Sequence, residues 1–372
     1  NQADPSKVIL NKNHSKALDD GRIVEKNSFR RSNYFEHVGN ECKHVNENVG
    51  LLDMSAFAKC IVKGPGAEEW LEYIFANKMP QTIGRISLVH MLSLNGGVRS
   101  EFTVYKTGPQ SYYLVSAGAF ETHDHDYLFK LAPKDGTVSI QRVTTQTGVL
   151  VLAGPRSRDV LQKLTDTDLS NENFKWLTGR KINVGYASAE ALRVNFVGEL
   201  GWELHHPIEM QNYIFDQVME AGAEFDIKPF GIRAMDSMRL EKSYRLIPRE
   251  MSIEYSAYES GLDRFVRLDK ENDFIGKKAL KDWQDRGASN GFVTMEVQGV
   301  VDADERSAAN GVTNVVRSIG ASTGPYLAGF LYANEATRDY PFYIAGGIKI
   351  VYDLLLLWNM SGTPTDDEKL KQ

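Results

Sequence analysis

The chain has 372 residues, of which 42% are hydrophobic and 25% are charged, as in a soluble globular protein of two or three domains. This composition excludes a largely disordered chain, a collagen-like repeat and a small disulfide scaffold. A formal net charge of −6 argues against nucleic acid as the main ligand. The two cysteines, Cys42 and Cys60, form no C-x-x-C pair, so neither a zinc site nor a disulfide framework is indicated.

The first predicted element follows a polar segment, residues 1–33, which we interpret as a leader without the apolar core of a secretory signal. From Tyr34 to Gly50, apolar residues recur every three or four positions and predict a helix, with Gly50 as its C-cap. Runs of β-branched and aromatic residues then predict short strands. These strands cover residues 59–62, 102–105, 112–116 and 149–152.

Two segments look like copies of one unit. In each, a strand is followed by Gly-Pro, which is Gly64-Pro65 in the first copy and Gly154-Pro155 in the second. An apolar-periodic helix comes next in both, because Gly allows the turn and Pro suits the first turn of a helix. A duplication and a chance match of a common dipeptide are both open explanations. A duplication implies an α+β fold in which a strand–helix–strand unit occurs twice.

The next elements are a hairpin and two helices. Residues 192–204 predict a β-hairpin whose tight turn lies at 198–201. Amphipathic periodicity predicts helices over 210–221 and 234–241.

The composition changes in the last part, residues 304–372, where two nearly uncharged runs cover 318–334 and 340–358. Both runs are close to the length of a membrane-spanning helix, and Gly320 and Gly324 form a G-x-x-x-G. Hydropathy alone fits a membrane hairpin and two buried helices of a soluble domain equally well.

Several chemistries lack their motifs. The sequence contains no G-x-G-x-x-G, no P-loop and no G-x-S-x-G, so dinucleotide, P-loop and nucleophile-elbow chemistry are unsupported. The run His123–Asp126 alternates His and Asp but has no established metal-ligand spacing. His205-His206 is interpreted as a polar end of the hairpin. No metal site is therefore predicted.

Two carboxylates stand in unusual settings. Glu101 follows a Gly-rich turn and enters a strand, and Glu199 lies at the hairpin tip between Gly198 and Gly201. Each is readily explained as a solvated turn residue. The glycines beside Glu199 would nevertheless let a flat ligand approach the backbone closely.

Several ordered motifs carry a family resemblance over residues 34–303. They include the segments 34–41, 49–55, 62–68, 90–92, 96–98, 197–203, 238–242, 259–262 and 273–280. The sequence resembles the folate-binding, aminomethyltransferase-type region of dimethylglycine and sarcosine dehydrogenases, which is related to the T-protein of the glycine cleavage system.

The resemblance implies a tetrahydrofolate-dependent transfer of a one-carbon unit that forms 5,10-methylenetetrahydrofolate. It implies that Glu101, at a position where the family usually has Asp, orients the reactants and handles a proton. Glu199 falls on the carboxylate that pairs with the pterin ring, since a carboxylate accepts two parallel N–H bonds. Arg233 falls near an arginine that binds folate. Phe196 stands where the family usually has a tyrosine, and the resemblance implies that it binds folate through its ring face without the hydroxyl.

The sequence also departs from the family. A C-terminal β-barrel should follow residues 292–297, and we expect it to be missing. We also expect the FAD domain of the dehydrogenases to be absent. Residues 304–360 instead resemble the last two helices of a major facilitator superfamily transporter, which suggests a fusion.

The predicted protein is thus a T-protein-like α+β core of two related subdomains, residues 34–303, followed by a helical hairpin. The donor would be an N-methyl amine such as dimethylglycine or sarcosine, or a glycine-derived group, supplied freely or by a separate FAD oxidase domain. The alternatives are a catalytically inactive folate-binding module and a transporter fragment. We expect a cytoplasmic or mitochondrial matrix location by resemblance, no nucleic-acid partner, and membrane contact through residues 305–360.

Overall fold

A computed structural model describes residues 34–287 and 291–294 of the chain, which belong to one unit spanning Tyr34–Val297. Three predictions lie outside the described residues: the leader, the missing β-barrel and the transporter-like helical tail of residues 304–372. Within the described part, no helix is long and apolar enough to cross a membrane.

The described part of the chain contains both helices and strands. The helices are α1 (Phe35–Glu47), α2 (Ala67–Ile74), α3 (Glu121–Leu131), α4 (Ser157–Gln162), α5 (Gln211–Gly222), α6 (Ile232–Glu241) and α7 (Lys277–Arg286). The strands are β1 (Gly50–Asp53), β2 (Ala58–Lys63), β3 (Ile86–Leu92), β4 (Val98–Gly108), β5 (Ser111–Ser116), β6 (Ser139–Arg142), β7 (Thr147–Ala153), β8 (Gly179–Val184), β9 (Ala187–Leu192), β10 (Gly201–Pro207) and β11 (Lys228–Pro229).

The strands form two sheets. One has the order β11-β1-β7-β10-β9-β8 and the other the order β3-β4-β5-β2-β6. Neighbouring strands are antiparallel, except that β1 and β11 are parallel. Sequence analysis predicted an α+β fold, and the two mixed sheet-and-helix layers confirm it.

Apolar residues of each sheet pack against their own helices. The six-stranded sheet packs on α4 and α5 through a cluster that includes Leu152, Trp202 and Val218. The five-stranded sheet packs on α2 and α3 through Val62, Leu71 and other buried residues. This burial of one face against helices is the largest favourable contribution to folding of each layer.

The two Gly-Pro segments have the same local structure. Gly64 and Gly154 have φ values of +127° and +123°, which favour glycine because it has no Cβ. In each, the amide three residues later donates to the glycine carbonyl at 3.0 Å. A helix then follows, which is α2 on the five-stranded sheet and α4 on the six-stranded sheet. Both segments therefore form a strand, a glycine turn and a helix, and the duplication itself stays a prediction.

The predicted strands and the predicted helices over 210–221 and 234–241 are also present, with shifts of a few residues at their ends. Sequence analysis predicted Gly50 as the C-cap of α1, and this prediction is wrong. The helix ends at Glu47, Asn48 is its C-cap, and Gly50 is the first residue of β1. Pairing of Gly50 with Ala153 and Lys228 on the two neighbouring strands sets this boundary.

Candidate functional site

Glu101 lies on β4, inside the strand and not at its entrance. It is paired across the sheet with His90 of β3. The His90 Nε2 and Glu101 Oε2 atoms are 3.0 Å apart. The Glu101 side chain is 26% exposed and the His90 side chain only 1%. One oxygen of Glu101 therefore has a buried partner while the side chain keeps access to solvent.

The opposite face of β4 is anchored at Ser100, the residue before Glu101. Ser100 Oγ donates to Asp124 Oδ2 of α3 at 2.8 Å, and Ser116 Oγ of β5 donates to the same oxygen at 3.0 Å. Burial raises the pKa of Asp124, although these hydroxyl groups act in the opposite direction. The contacts fix the strand from behind, at the position next to Glu101.

Glu199 lies in an irregular loop, residues 193–200, that joins the antiparallel strands β9 and β10, so the predicted antiparallel connection is present but its tight turn at 198–201 is wrong. Strand β9 ends at Leu192, and β10 begins at Gly201. The Asn195 side chain closes the loop because its Oδ1 accepts from the amides of Val197 and Gly198, both at 3.0 Å. Its Nδ2 donates to the Glu199 carbonyl at 3.0 Å. These side-chain bonds replace strand pairing, which is why the alternating pattern of residues 192–196 does not form a strand.

The Glu199 loop is held by the second Gly-Pro turn. The Leu200 carbonyl accepts from the Gly154 amide at 2.8 Å and from Ser157 Oγ at 3.0 Å. The repeated strand–turn–helix unit therefore supports the loop that carries a candidate binding residue.

Glu199 forms an ion pair with Lys242, the residue that follows α6. Its Oε1 is 2.8 Å from Lys242 Nζ, and the Glu199 side chain is 25% exposed. The hydrogen bond to Glu199 raises the pKa of Lys242. The Lys242 stem also lies over Gly198, where an added Cβ would be 2.4 Å from Lys242 Cγ. A larger residue at 198 would displace this lysine.

An open cleft of about 550 Å³ surrounds Glu199. Its lining includes the polar side chains Arg193, Asn195 and Glu199 and the aromatic side chains Trp176 and Tyr244. Trp176 is 66% exposed, which leaves much of a large aromatic side chain open to solvent. An exposed aromatic surface beside a carboxylate can bind a flat ligand that carries N–H groups on its edge.

Phe196 does not offer a free ring to this cleft. It packs partly buried against the core beneath the loop, and it stacks on Tyr244 with ring centroids 6.0 Å apart. The aromatic surface in the cleft comes from Trp176 and Tyr244, which sequence analysis did not select.

The segment 242–245 runs between the two candidate carboxylates. Lys242 contacts Glu199 and Tyr244 lines the cleft, while Arg245 interacts electrostatically with Glu101. Burial lowers the pKa of Arg245, and the nearby Glu101 charge acts in the opposite direction. Glu101 itself is not among the lining residues of the cleft.

A buried arginine of α6 fixes this segment. Arg239 is fully buried, and its Nε is 2.8 Å from Asp236 Oδ1. Its Nη1 donates to the Tyr244 carbonyl at 2.9 Å and to Glu250 Oε2 at 2.7 Å. Charge-assisted bonds of this kind are short and directional, so they set the path of the backbone between Lys242 and Glu250.

Arg233 lies apart from the cleft lining, on an exposed part of α6. Its Nη1 donates to the Tyr34 hydroxyl at 2.9 Å, and its guanidinium lies 4.2 Å from the centroid of the Tyr34 ring. The structure therefore brings Glu199 and Phe196 together near Tyr244, and it places Glu101 outside the lining of the cleft. It does not place Arg233 among the lining residues.

The remaining histidine predictions meet different outcomes. His205 and His206 are buried within β10, so the interpretation of a polar hairpin end is wrong. Strand β10 has neighbours on both sides, and His205 Nδ1 is 3.0 Å from the Tyr113 hydroxyl of the other sheet. In residues 34–287 and 291–294, no group of three or more His, Cys, Asp or Glu could hold a metal ion.

Sequence reasoning missed His90, Trp176, Lys242, Tyr244 and Arg245. Two of them, His90 and Lys242, lie in motif segments that carry the family resemblance, so a signal was present. Their roles depend on strand register and on the fold of the segment after α6, which no local pattern reveals.

Comparison with known proteins identifies the family. Residues 12–270 match the family described as the GCVT N-terminal domain. This match begins inside the segment that sequence analysis treats as a leader, and the boundary at residue 33 stays a prediction.

The similar chains include members of two enzyme groups. The mitochondrial dimethylglycine dehydrogenase of Mus musculus is 40% identical over 73% of this chain and 31% of its own length. An aminomethyltransferase of Thermoanaerobacter sp. (strain X514) is 32% identical over 74% of this chain and 75% of its own length. This chain thus matches about a third of the mouse dehydrogenase.

The fold agrees with a solved structure of the same group. The glycine cleavage system aminomethyltransferase T from Bartonella henselae superposes with a TM-score of 0.62, covers 74% of each chain and is 20% identical. Members of this family bind tetrahydrofolate. The chain therefore belongs to the folate-binding, aminomethyltransferase-type family that the GCVT domain defines.

Proposed function

We propose that this chain binds tetrahydrofolate in the cleft around Glu199 and transfers a one-carbon unit to it, forming 5,10-methylenetetrahydrofolate. The observation that carries the proposal is the half-buried carboxylate of Glu199 beside the exposed Trp176 ring. A pterin is flat and has neighbouring N–H groups on one edge, so it suits an aromatic surface next to a two-oxygen acceptor.

Glu199 would act as the binding residue. Ionised, it accepts two parallel hydrogen bonds, and the Asn195 bonds hold its loop in one conformation. Lys242 would pair with one oxygen of this carboxylate until a ligand takes its place.

Glu101 would act as the base. When an iminium donor meets the folate, the first folate nitrogen attacks the iminium carbon and a C–N bond forms. The second folate nitrogen then bonds to the same carbon, and the donor amine leaves with the electrons of its own C–N bond. The two folate nitrogens lose two protons, of which the leaving amine takes one and Glu101 the other. Atoms and charge then balance without a covalent enzyme intermediate.

The names of the relatives support a proposal for the donor class. We propose an N-methyl amine oxidised to its iminium form, such as one derived from dimethylglycine or sarcosine, or a glycine-derived aminomethyl group. The iminium would come from solution or from a separate FAD oxidase domain, since the transfer itself needs no further oxidant.

Titration calorimetry of the full chain with tetrahydrofolate tests the binding residue. In Glu199→Gln one acceptor oxygen becomes a donor, and losing a charge-assisted bond costs about 1.5–3 kcal/mol, so we expect affinity to fall about ten- to a hundredfold. Glu121→Gln is the matched control, because the Glu121 side chain is equally exposed at 25% and also forms an ion pair, with Arg142 at 3.1 Å. Glu121 is not among the lining residues of this cleft. Equal affinity in both variants would reject the assignment.

Turnover separates the enzyme from its alternative. Wild type that binds tetrahydrofolate but forms no methylene product from a free iminium donor is a catalytically inactive folate-binding module. Product formation at a rate above the uncatalysed reaction supports the transferase.

A further inference from the structure

His90 is a buried titratable residue next to Glu101. From its contacts we propose that His90 is a positioning residue that holds one oxygen of the Glu101 carboxyl group and leaves the other available for the transferred proton. This inference rests on the proposed function of Glu101 and adds a second residue to it.

The placement of His90 is set by the sheet. His90 and Glu101 are directly paired between β3 and β4, so their side chains project from the same face at a fixed spacing. The register shifts between Met91 and Leu92, immediately after His90. Such an irregularity re-aims the side chains beside it.

Two further contacts hold His90, one at its ring and one at its backbone. The Phe265 ring packs against it with centroids 5.4 Å apart and an interplanar angle of 54°. The His90 carbonyl accepts from the Ala76 amide at 3.0 Å. With a side chain 1% exposed, the imidazole has little room to turn, and its Nε2 stays directed at Glu101.

The second ring nitrogen indicates which tautomer is present. His90 Nδ1 is buried and has no hydrogen-bond partner. A proton on Nδ1 would be a buried donor without an acceptor, which costs more than a bare acceptor lone pair. The contacts therefore favour a neutral ring with its proton on Nε2, which donates to Glu101 Oε2.

This donor gives Glu101 its role. A hydrogen bond from the buried Nε2–H fixes the orientation of the Glu101 carboxyl group. Oε2 is then engaged, while Oε1 remains the atom that can receive a proton. Arg245 adds a nearby positive charge without a direct bond in the described contacts.

The length of the side chain matters for this contact. Asp at position 101 would place its carboxyl group nearer the strand by about one C–C bond, roughly 1.5 Å. The 3.0 Å contact to His90 would then be lost. The length of Glu101 is thus matched to the position of His90.

Nitrogen NMR of the full chain with labelled histidine tests the contact without any activity. We expect His90 to show a protonated Nε2 and a bare Nδ1. That signal should shift in Glu101→Ala and stay in Glu199→Ala. A protonated Nδ1, or no response to Glu101→Ala, would overturn the proposal whether or not the chain is active.

Rapid-mixing kinetics then tests the role. His90→Leu removes the donor, whereas His90→Gln keeps an amide N–H near the position of Nε2. We expect His90→Leu to lower kcat about ten- to a hundredfold with the Kd for tetrahydrofolate unchanged, and His90→Gln to recover most of kcat. His206→Leu, which replaces another buried histidine of a different strand, is the control for a general packing defect.

The outcomes separate the two proposals. A wild type with the expected NMR signal but no transfer contradicts the proposed function. An active wild type in which His90→Leu is equally active, or loses Kd and kcat together, overturns the role of His90. If His90→Leu does not fold, an inactive but folded His90→Gln would also contradict the proposal, because its donor is retained.

Discussion

The two candidate carboxylates are held in different ways. Glu101 lies within a strand, and its partner His90 is fixed by the register of β3 and β4. Glu199 lies in a loop shaped by the side chain of Asn195, and its partner Lys242 is partly exposed. The strand gives a fixed geometry suited to proton transfer, whereas the loop gives an accessible geometry suited to ligand binding.

Replacing Glu101 should produce the largest effect of this comparison. Glu101→Gln removes the proton acceptor but keeps the shape, so we expect transfer to slow by about 10²–10⁴-fold while tetrahydrofolate affinity changes little. Single-turnover rates and calorimetry on the same variant measure both quantities. Equal losses of binding and rate would instead indicate a structural role on the strand.

Lys59, which is buried on a strand, should give the next largest effect, on the pH dependence of the free energy of unfolding. Lys59 of β2 is buried, and its Nζ donates to the carbonyls of Ser55 and Thr147 at 2.8 and 2.7 Å. Burial lowers the pKa of Lys59 to about 8, from the 10.5 of a free lysine. Between these two pH values the unfolded chain keeps a proton that the folded chain has lost.

The free energy of unfolding should therefore rise with pH in that window, by about 3 kcal/mol for a shift of this size. We expect wild type to gain this much relative to Lys59→Met between pH 8 and 10.5, in urea titrations at a series of pH values. Parallel curves for the two proteins would show that Lys59 keeps an ordinary pKa in the fold.

Sequence reasoning recovered the framework of both regions to different degrees. Apolar and β-branched runs predicted β2, β4, β5 and β7, because a buried strand needs such side chains along its whole length. The pairing of His90 with Glu101 was not predicted, since it depends on a turn and a register shift between two strands. A one-residue slip would have turned either side chain to the other face.

The loop was predicted less well than the strand. Residues 192–196 alternate like a strand, yet Asn195 bonds to the backbone around it and ends the pairing. Sequence analysis singled out the Gly and Glu of the turn, but the cleft around them also depends on Trp176 and Tyr244 from distant parts of the chain. Such long-range contacts are visible only in the fold.

Breaking the loop itself tests whether its shape matters. Asn195→Ala removes three hydrogen bonds at once, and we expect the free energy of unfolding to fall by about 1–3 kcal/mol with weaker tetrahydrofolate binding. Hydrogen exchange at the amides of Val197 and Gly198 should speed up. Asn183→Ala, on an exposed position of β8, is the control and should leave all three measurements unchanged.

The smallest effect is expected at the partner of Glu199. Lys242 is partly exposed, so its ion pair contributes about 0.2–1 kcal/mol to stability, and Lys242→Met should lower the free energy of unfolding by no more than that. Binding should respond in the opposite direction. Lys242 occupies Glu199 Oε1, an oxygen that a pterin edge would need, so its removal should tighten tetrahydrofolate binding by up to about fivefold. Calorimetry at two salt concentrations measures this gain, which should shrink at high salt because salt already weakens the ion pair. Weaker binding in Lys242→Met would mean that the lysine contacts the ligand itself, and the loop would then supply a cation as well as a carboxylate.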